Sequence, residues 1–174
     1  MNWTSTLFEV IDMRSFSNLW FWIGLAVIWS SVNHYVLGAP YDMITRARRD
    51  GGKAQEDLEA LVRINADRLL HIGQVSGIIL LGFLAFVLTS LTILGFWYGV
   101  EFAQALLLLA LPLSLVGGLS LSAARRIAAE RPAGDDLHRH LGRHRLKTQV
   151  IGMVSIFVTA MFGMYQNLAV SPGF

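Results

Sequence analysis

Four long apolar stretches leave this chain one solvent in which it can fold. Residues 18–37, 72–98, 100–121 and 149–169 each supply the ~20 predominantly apolar residues with which a helix crosses a ~30 Å hydrocarbon layer. A backbone in lipid must satisfy its own hydrogen bonds, so each stretch is expected to be helical. Every Lys and Arg except Arg14 lies in one of two intervening segments, 38–71 and 122–148. The charge bias of membrane topology assigns both segments to the cytoplasm and both termini to the other side, with a tight turn at Trp97, Tyr98 and Gly99. The expected fold is an all-α membrane protein: an antiparallel four-transmembrane-helix bundle with cytoplasmic helical extensions, one membrane domain over residues 1–174.

The basic segments read as helices that outrun the bilayer. Gly38, Ala39 and Pro40 stop the first span, and Gly51 and Gly52 break the chain again. From Gln55 the apolar period of Leu58, Leu61, Val62 and Leu69 runs into the second span without a breaker, which predicts one helix of roughly 40 residues, about 60 Å long. The third span continues past Arg125 and Arg126 to Pro132, and a basic helix opening at Asp135 or Asp136 leads into the fourth. Glu56, Asp57 and Glu59 are candidates to pair with Arg139, Arg143 and Arg145 across these extensions. Glu9, Asp12 and Arg14 precede the first span where a cleavable leader would be basic, so that span is expected to be retained. Residues 3–16 read either as a short interfacial helix or as an unstructured tail.

Lipid tails are as apolar as leucine, so helices associate there through small residues that let backbones approach. Ala110, Ser114, Gly118 and Ser122 form such a stripe on the third span, and Ser155, Thr159, Gly163 and Asn167 form one on the fourth. Gly73 and Gly77 open the second span, and Ala26, Ser30 and His34 mark the first. These faces are read as packing surfaces, or as the wall of a water-filled path if they meet in an oligomer. Pro112 removes an amide from the third span and frees a carbonyl there.

Few residues offer chemistry. There is no Cys, which excludes thiol catalysis, disulfides and thiolate-held clusters on this chain's side. His34, near the cytoplasmic end of the first span, is the candidate haem or metal ligand. Asp136, His140 and His144, four residues apart, share one helix face and form a candidate metal stripe, with the neighbouring Arg139, Arg143 and Arg145 opposing a cation and suiting anionic headgroups. Glu101, Gln104 and Gln166, with Asn167 at the same depth, form an expected outer polar layer. Nucleotide-binding, metalloprotease and nucleophile motifs are missing, so neither an enzyme nor a cofactor is expected. The basic residues are accounted for by topology, and nucleic acid is not expected as a partner.

The stretches IDMRSFSNLWFWIGLAVIWS, LGAPYDMITRARR, DLEALVRINADRLLHIGQVSG, YGVEFAQA and FVTAMFGMYQNLAV together resemble a family of small four-span inner-membrane proteins of alphaproteobacteria, often described as components of the SufBCD complex. The resemblance implies a bacterial inner-membrane location and a role beside iron–sulfur cluster assembly, and it assigns no functional residues. The function expected is a non-enzymatic membrane subunit that joins a protein partner, or a second copy of itself, within the lipid bilayer. The alternatives are a homo-oligomeric ion channel and, third, a haem- or metal-binding membrane protein.

Overall fold

The computed structural model describes residues 15–170, and its elements are almost all helical. After a turn of 3₁₀-helix at Ser15–Ser17 come α1 (Leu19–His34), α2 (Tyr41–Asp50), α3 (Gly52–Thr92), α4 (Glu101–Glu130) and α5 (Gly134–Val170). Three helical segments, Gly52–Trp97, Glu101–Glu130 and Gly134–Leu168, are long and apolar enough to cross a membrane. The long helix foreseen from Gln55 onward is α3, at 41 residues. Of the segment 3–16, only Ser15 and Phe16 fall within the described residues.

The first apolar stretch is shorter as a helix than its composition suggested. α1 has 16 residues, about 24 Å at the usual rise, and ends at His34 instead of running to Leu37. Its start is defined by Asn18, whose side chain accepts from the Trp20 amide at 3.0 Å. Its end is a two-stranded hairpin, β1 (Tyr35–Val36) against β2 (Ala39–Pro40). Leu37 and Gly38 form the two-residue turn with φ of 51° and 78°, the left-handed pair a tight hairpin requires. The turn lies against α3 so closely that a Cβ on Gly38 would come within 2.7 Å of the Asn65 amide nitrogen. Pro40 supplies no side-chain cap for α2, which begins at the next residue.

At the other end, α3 passes into a π-turn, Ile93–Trp97, before the reversal at Gly99 (φ 68°). The Val100 amide closes this corner on the Leu94 carbonyl at 3.0 Å. α4 runs unbroken through Pro112 and stops at Arg131, a left-handed residue (φ 45°) directly before Pro132. α5 is one helix from its basic start to its apolar end.

The best-packed core lies at the basic end. Val36, Ala39, Ile44, Ala47, Leu58, Val62, Ala66, Ala124, Ile127, Leu137 and Leu141 form one buried cluster joining the hairpin, α2, the start of α3, the end of α4 and the start of α5. These helix stretches are amphipathic, with charged residues outward, so the ordinary hydrophobic effect assembles them. A smaller cluster of Leu25, Trp29 and Val116 joins α1 to α4, with Ile151 of α5 against it. The apolar half of α3 contributes to neither cluster; Ile78 is 90% exposed, and Phe83 and Phe86 are also exposed. The ion pairs expected between the extensions do not form. Among the described residues, Glu59 pairs with Arg63 on its own helix and Arg139 with Asp136 on its own, while Arg145 stacks 3.5 Å above the Tyr41 ring.

Candidate functional site

The small-residue stripes divide sharply. On α5, Ser155, Thr159 and Gly163 are buried, and together with Leu137, Leu141, His144, Thr148 and Gly152 they make one seam at three- or four-residue steps from Leu137 to Gly163. Gly152 receives the Trp29 ring, whose Cε3 would lie 2.8 Å from an added Cβ, and Gly163 receives Phe16 and Trp22. Asn167 accepts from the Ser17 hydroxyl at 2.8 Å. On α4 the stripe of Ala110, Ser114, Gly118 and Ser122 is not the packing face. Gly118 and Ser122 are exposed, an added Cβ on Gly118 meets nothing within 4 Å, and the buried side is Ala103, Leu107, Pro112, Val116, Ala124 and Ile127. The larger residues win there because α1 fills the space with Leu25 and Trp29, so close backbone approach is not needed. The face of Ala26, Ser30 and His34 on α1 is likewise exposed, and of Gly73 and Gly77 on α3 only Gly73 has a neighbour, Leu121 at 3.3 Å.

Pro112 explains one buried polar contact on the α5 seam. A proline inside a helix leaves the carbonyl four residues earlier without its amide, and that carbonyl belongs to Leu108. Ser155 on α5 donates to it across the interface at 3.5 Å, the long limit for such a bond.

The polar layer at the turn end is assembled as a structural clamp. Gln104 donates from Nε2 to the Gly95 carbonyl at 2.8 Å, capping the π-turn, and its Oε1 accepts from Gln166 on α5. Gly95 has no room for a side chain, since an added Cβ would lie 3.0 Å from Gln104 Cγ. Glu101, in the first turn of α4, accepts from the Phe16 amide at 2.7 Å, and the Trp22 indole donates to the Phe16 carbonyl at 3.1 Å. Phe16 itself is buried, edge-on to Phe21 and Phe162. These contacts hold the entry to α1 against the ends of α4 and α5.

The metal stripe on α5 is not a ligand cluster. Asp136 turns to Arg139, and His140 donates from Nδ1 to the Asp136 carbonyl at 2.9 Å while its Nε2 lies 3.2 Å from the Glu130 carboxylate. His144 faces inward, 7% exposed and 3.3 Å from the Ser120 hydroxyl. Among the described residues no three metal-ligating side chains gather. The i, i+4 spacing aligned these residues on one helix, but Asp136 pairs within α5 while α4 offers His140 and His144 different partners, Glu130 and Ser120. His34 is exposed with its ring edge-on to Tyr35, and His71 is exposed on α3.

Two features escaped the sequence reading. One is a junction between α3 and α5: Glu59 accepts from the Gly134 amide and from Gln55 Nε2, both at 2.9 Å, and Gln55 Oε1 meets His138 at 2.8 Å. The Gly134 amide is an unpaired donor at the first turn of α5, where a carboxylate also opposes the helix dipole. The hydrogen bond from Gln55, with that from Gly134, holds the Glu59 carboxyl below its ordinary range. The other is a basic cleft between α4 and α5, lined by Arg126, Arg143 and Lys147 with His140 and His144. Their even scatter in sequence gave no sign of a shared cleft, since they come from two helices.

Comparison with protein-family models, curated proteins and solved structures returned no match.

Proposed function

We infer that the protein is a non-enzymatic subunit of a bacterial inner-membrane assembly, in which α1, α3, α4 and α5 span the bilayer and hold a preformed helical module at the cytoplasmic surface. The observation that carries this reading is the position of the dense core. A chain that only anchored itself would need no apolar core beyond the bilayer, yet the buried cluster around Leu58, Val62, Ile127, Leu137 and Leu141 lies among its most charged residues. The charge rule turns that end to the cytoplasm. The exposed apolar half of α3 is the membrane surface left for lipid or for a partner's helix.

The channel alternative requires Ser155 and Thr159 to face a wet axis. Thr159 is fully buried and Ser155 6% exposed inside one protomer, which favours packing over a pore. The resemblance to the four-span family offers the cytoplasmic iron–sulfur assembly machinery as the partner; with no Cys here, every thiolate ligand would belong to that partner. The test is site-specific photocrosslinking in cells from Phe83 and Phe86 on α3 and from Arg48 on α2, followed by native purification. A discrete protein recovered in fixed stoichiometry from these positions, with liposome ion flux at background, is the expected result. Crosslinks to a second copy alone, together with flux above background, would replace the subunit by a channel.

A further inference from the structure

We propose that the groove between α4 and α5 is a binding site for one anionic phospholipid, with its phosphate in the basic cleft and an acyl chain along the apolar wall below. The proposal rests on the membrane reading above and adds a ligand to it.

Charge and shape change together along this groove. Its upper part is bounded by Leu119, Ser122 and Arg126 on α4 and by Arg143 and Lys147 on α5. The next part toward the turn end is bounded by Leu111 and Leu115 on α4 and by Val150, Val154 and Val158 on α5. On each helix these positions follow one another at three- and four-residue steps, so both parts lie on the same side of the helix pair. Arg126, Arg143 and Lys147 are exposed, and none is in an ion pair among the described residues. No carboxylate is among the described residues that line this cleft, and Glu130, one turn beyond Arg126 on α4, lies 3.2 Å from His140 Nε2. Three uncompensated cations converge from two helices at the level where the apolar spans give way to charged extensions. Below them the wall is almost wholly apolar and exposed, with Leu115 at 54% and Val154 at 56%.

A free phosphate would use only the upper part, and a neutral lipid only the lower. A phosphodiester headgroup joined to acyl chains uses both, and cation pockets between membrane helices on the cytoplasmic side are suited to such headgroups. Arg supplies the forked donors for phosphate oxygens, and Lys147 adds a point charge. His144, behind the cleft and bonded to Ser120, forms its floor instead of contacting the anion.

Delipidated protein in neutral detergent would be titrated with phosphatidylglycerol, with phosphatidylcholine of the same acyl chains, and with glycerol 3-phosphate and inorganic phosphate, counting bound molecules by native mass spectrometry. The expected result is one phosphatidylglycerol held about tenfold or more tighter than phosphatidylcholine, displaced by neither soluble phosphate. The double variant R126Q/R143Q loses the preference, V154W weakens phosphatidylglycerol by blocking the chain, and R139Q, whose arginine lies outside the cleft, behaves as wild type. Should the double variant fail to fold, wild-type protein still decides the matter, because its preference must shrink as salt rises from roughly 0.05 to 0.5 M. Equal binding of the two lipids, displacement by inorganic phosphate, a salt-independent preference or an equal loss in R139Q would each overturn the site. Protein that is monodisperse without detergent would instead overturn the membrane reading on which the site rests.

Discussion

Glu59 is the point at which α3 holds the start of α5, and removing it tests how the basic module is closed. Its carboxylate accepts from the Gly134 amide at 2.9 Å across 75 residues of sequence, and from Gln55 at 2.9 Å. Its side chain is 17% exposed, so water replaces these bonds poorly. A hydrogen bond to a charged group contributes about 1.5 to 3 kcal/mol, and about 2 kcal/mol corresponds to roughly thirtyfold in a local opening equilibrium. E59A is therefore expected to lower hydrogen-exchange protection of the first turn of α5 by about that factor, while Leu137 and Leu141 keep the helix folded. E59Q retains an acceptor without the charge and is expected to fall between E59A and wild type. Because the folded carboxyl titrates below its ordinary value of 4.5, the unfolded chain binds more protons. The advantage of wild type over E59Q is thus complete above the ordinary value and disappears as pH falls through the depressed one. Unchanged protection in E59A, or an advantage that grows on acidification, would refute the capping argument.

Three further substitutions probe the packing. Q104L deprives the Gly95 carbonyl and the Gln166 amide of their partner and is expected to cost about 2 to 4 kcal/mol, read as a lower midpoint in tryptophan-monitored thermal unfolding in detergent; an unchanged midpoint would mean that the polar layer does not clamp the turn end. G152A drives a methyl group into the Trp29 ring and is expected to cost about 1 to 3 kcal/mol, whereas G118A meets nothing within 4 Å and leaves the same midpoint unmoved. If G118A proves the worse of the two, the packing faces have been misassigned. S155A in wild type is expected to cost about 0.5 to 1 kcal/mol more than in a P112A background, where the helix amide returns to the Leu108 carbonyl; a double-mutant cycle without coupling would break that link.

Solvent preference was legible from the chain because it is a property of whole segments. Length and apolar content marked three of the helices unaided, and Gly38, Pro40, Gly51, Gly99 and Pro132 marked the breaks between elements, since glycine and proline act on their own φ and their nearest neighbours. The continuous helix from the basic segment into the second apolar stretch was visible for the same reason, as a period carried by consecutive residues. Ser155, Thr159 and Gly163 share a buried side of α5, whereas the equally regular stripe on α4 leaves Gly118 and Ser122 exposed. Periodicity states which residues share a side of a helix and is silent about what stands opposite.

What stands opposite was decided in three dimensions. Trp29 makes Gly152 a packing site, and Leu108, relieved of its amide by Pro112, gives Ser155 an acceptor. Gly134 gives Glu59 a cap to hold, Glu130 and Ser120 separate His140 from His144, and two helices bring Arg126 beside Arg143 and Lys147. Each of these pairs joins residues far apart along the chain, and a pairwise contact has no signature in either member alone. Solvent and segment length therefore belong to the sequence, while partnership, and with it the choice between a packing face, a cap and a binding cleft, belongs to the tertiary structure.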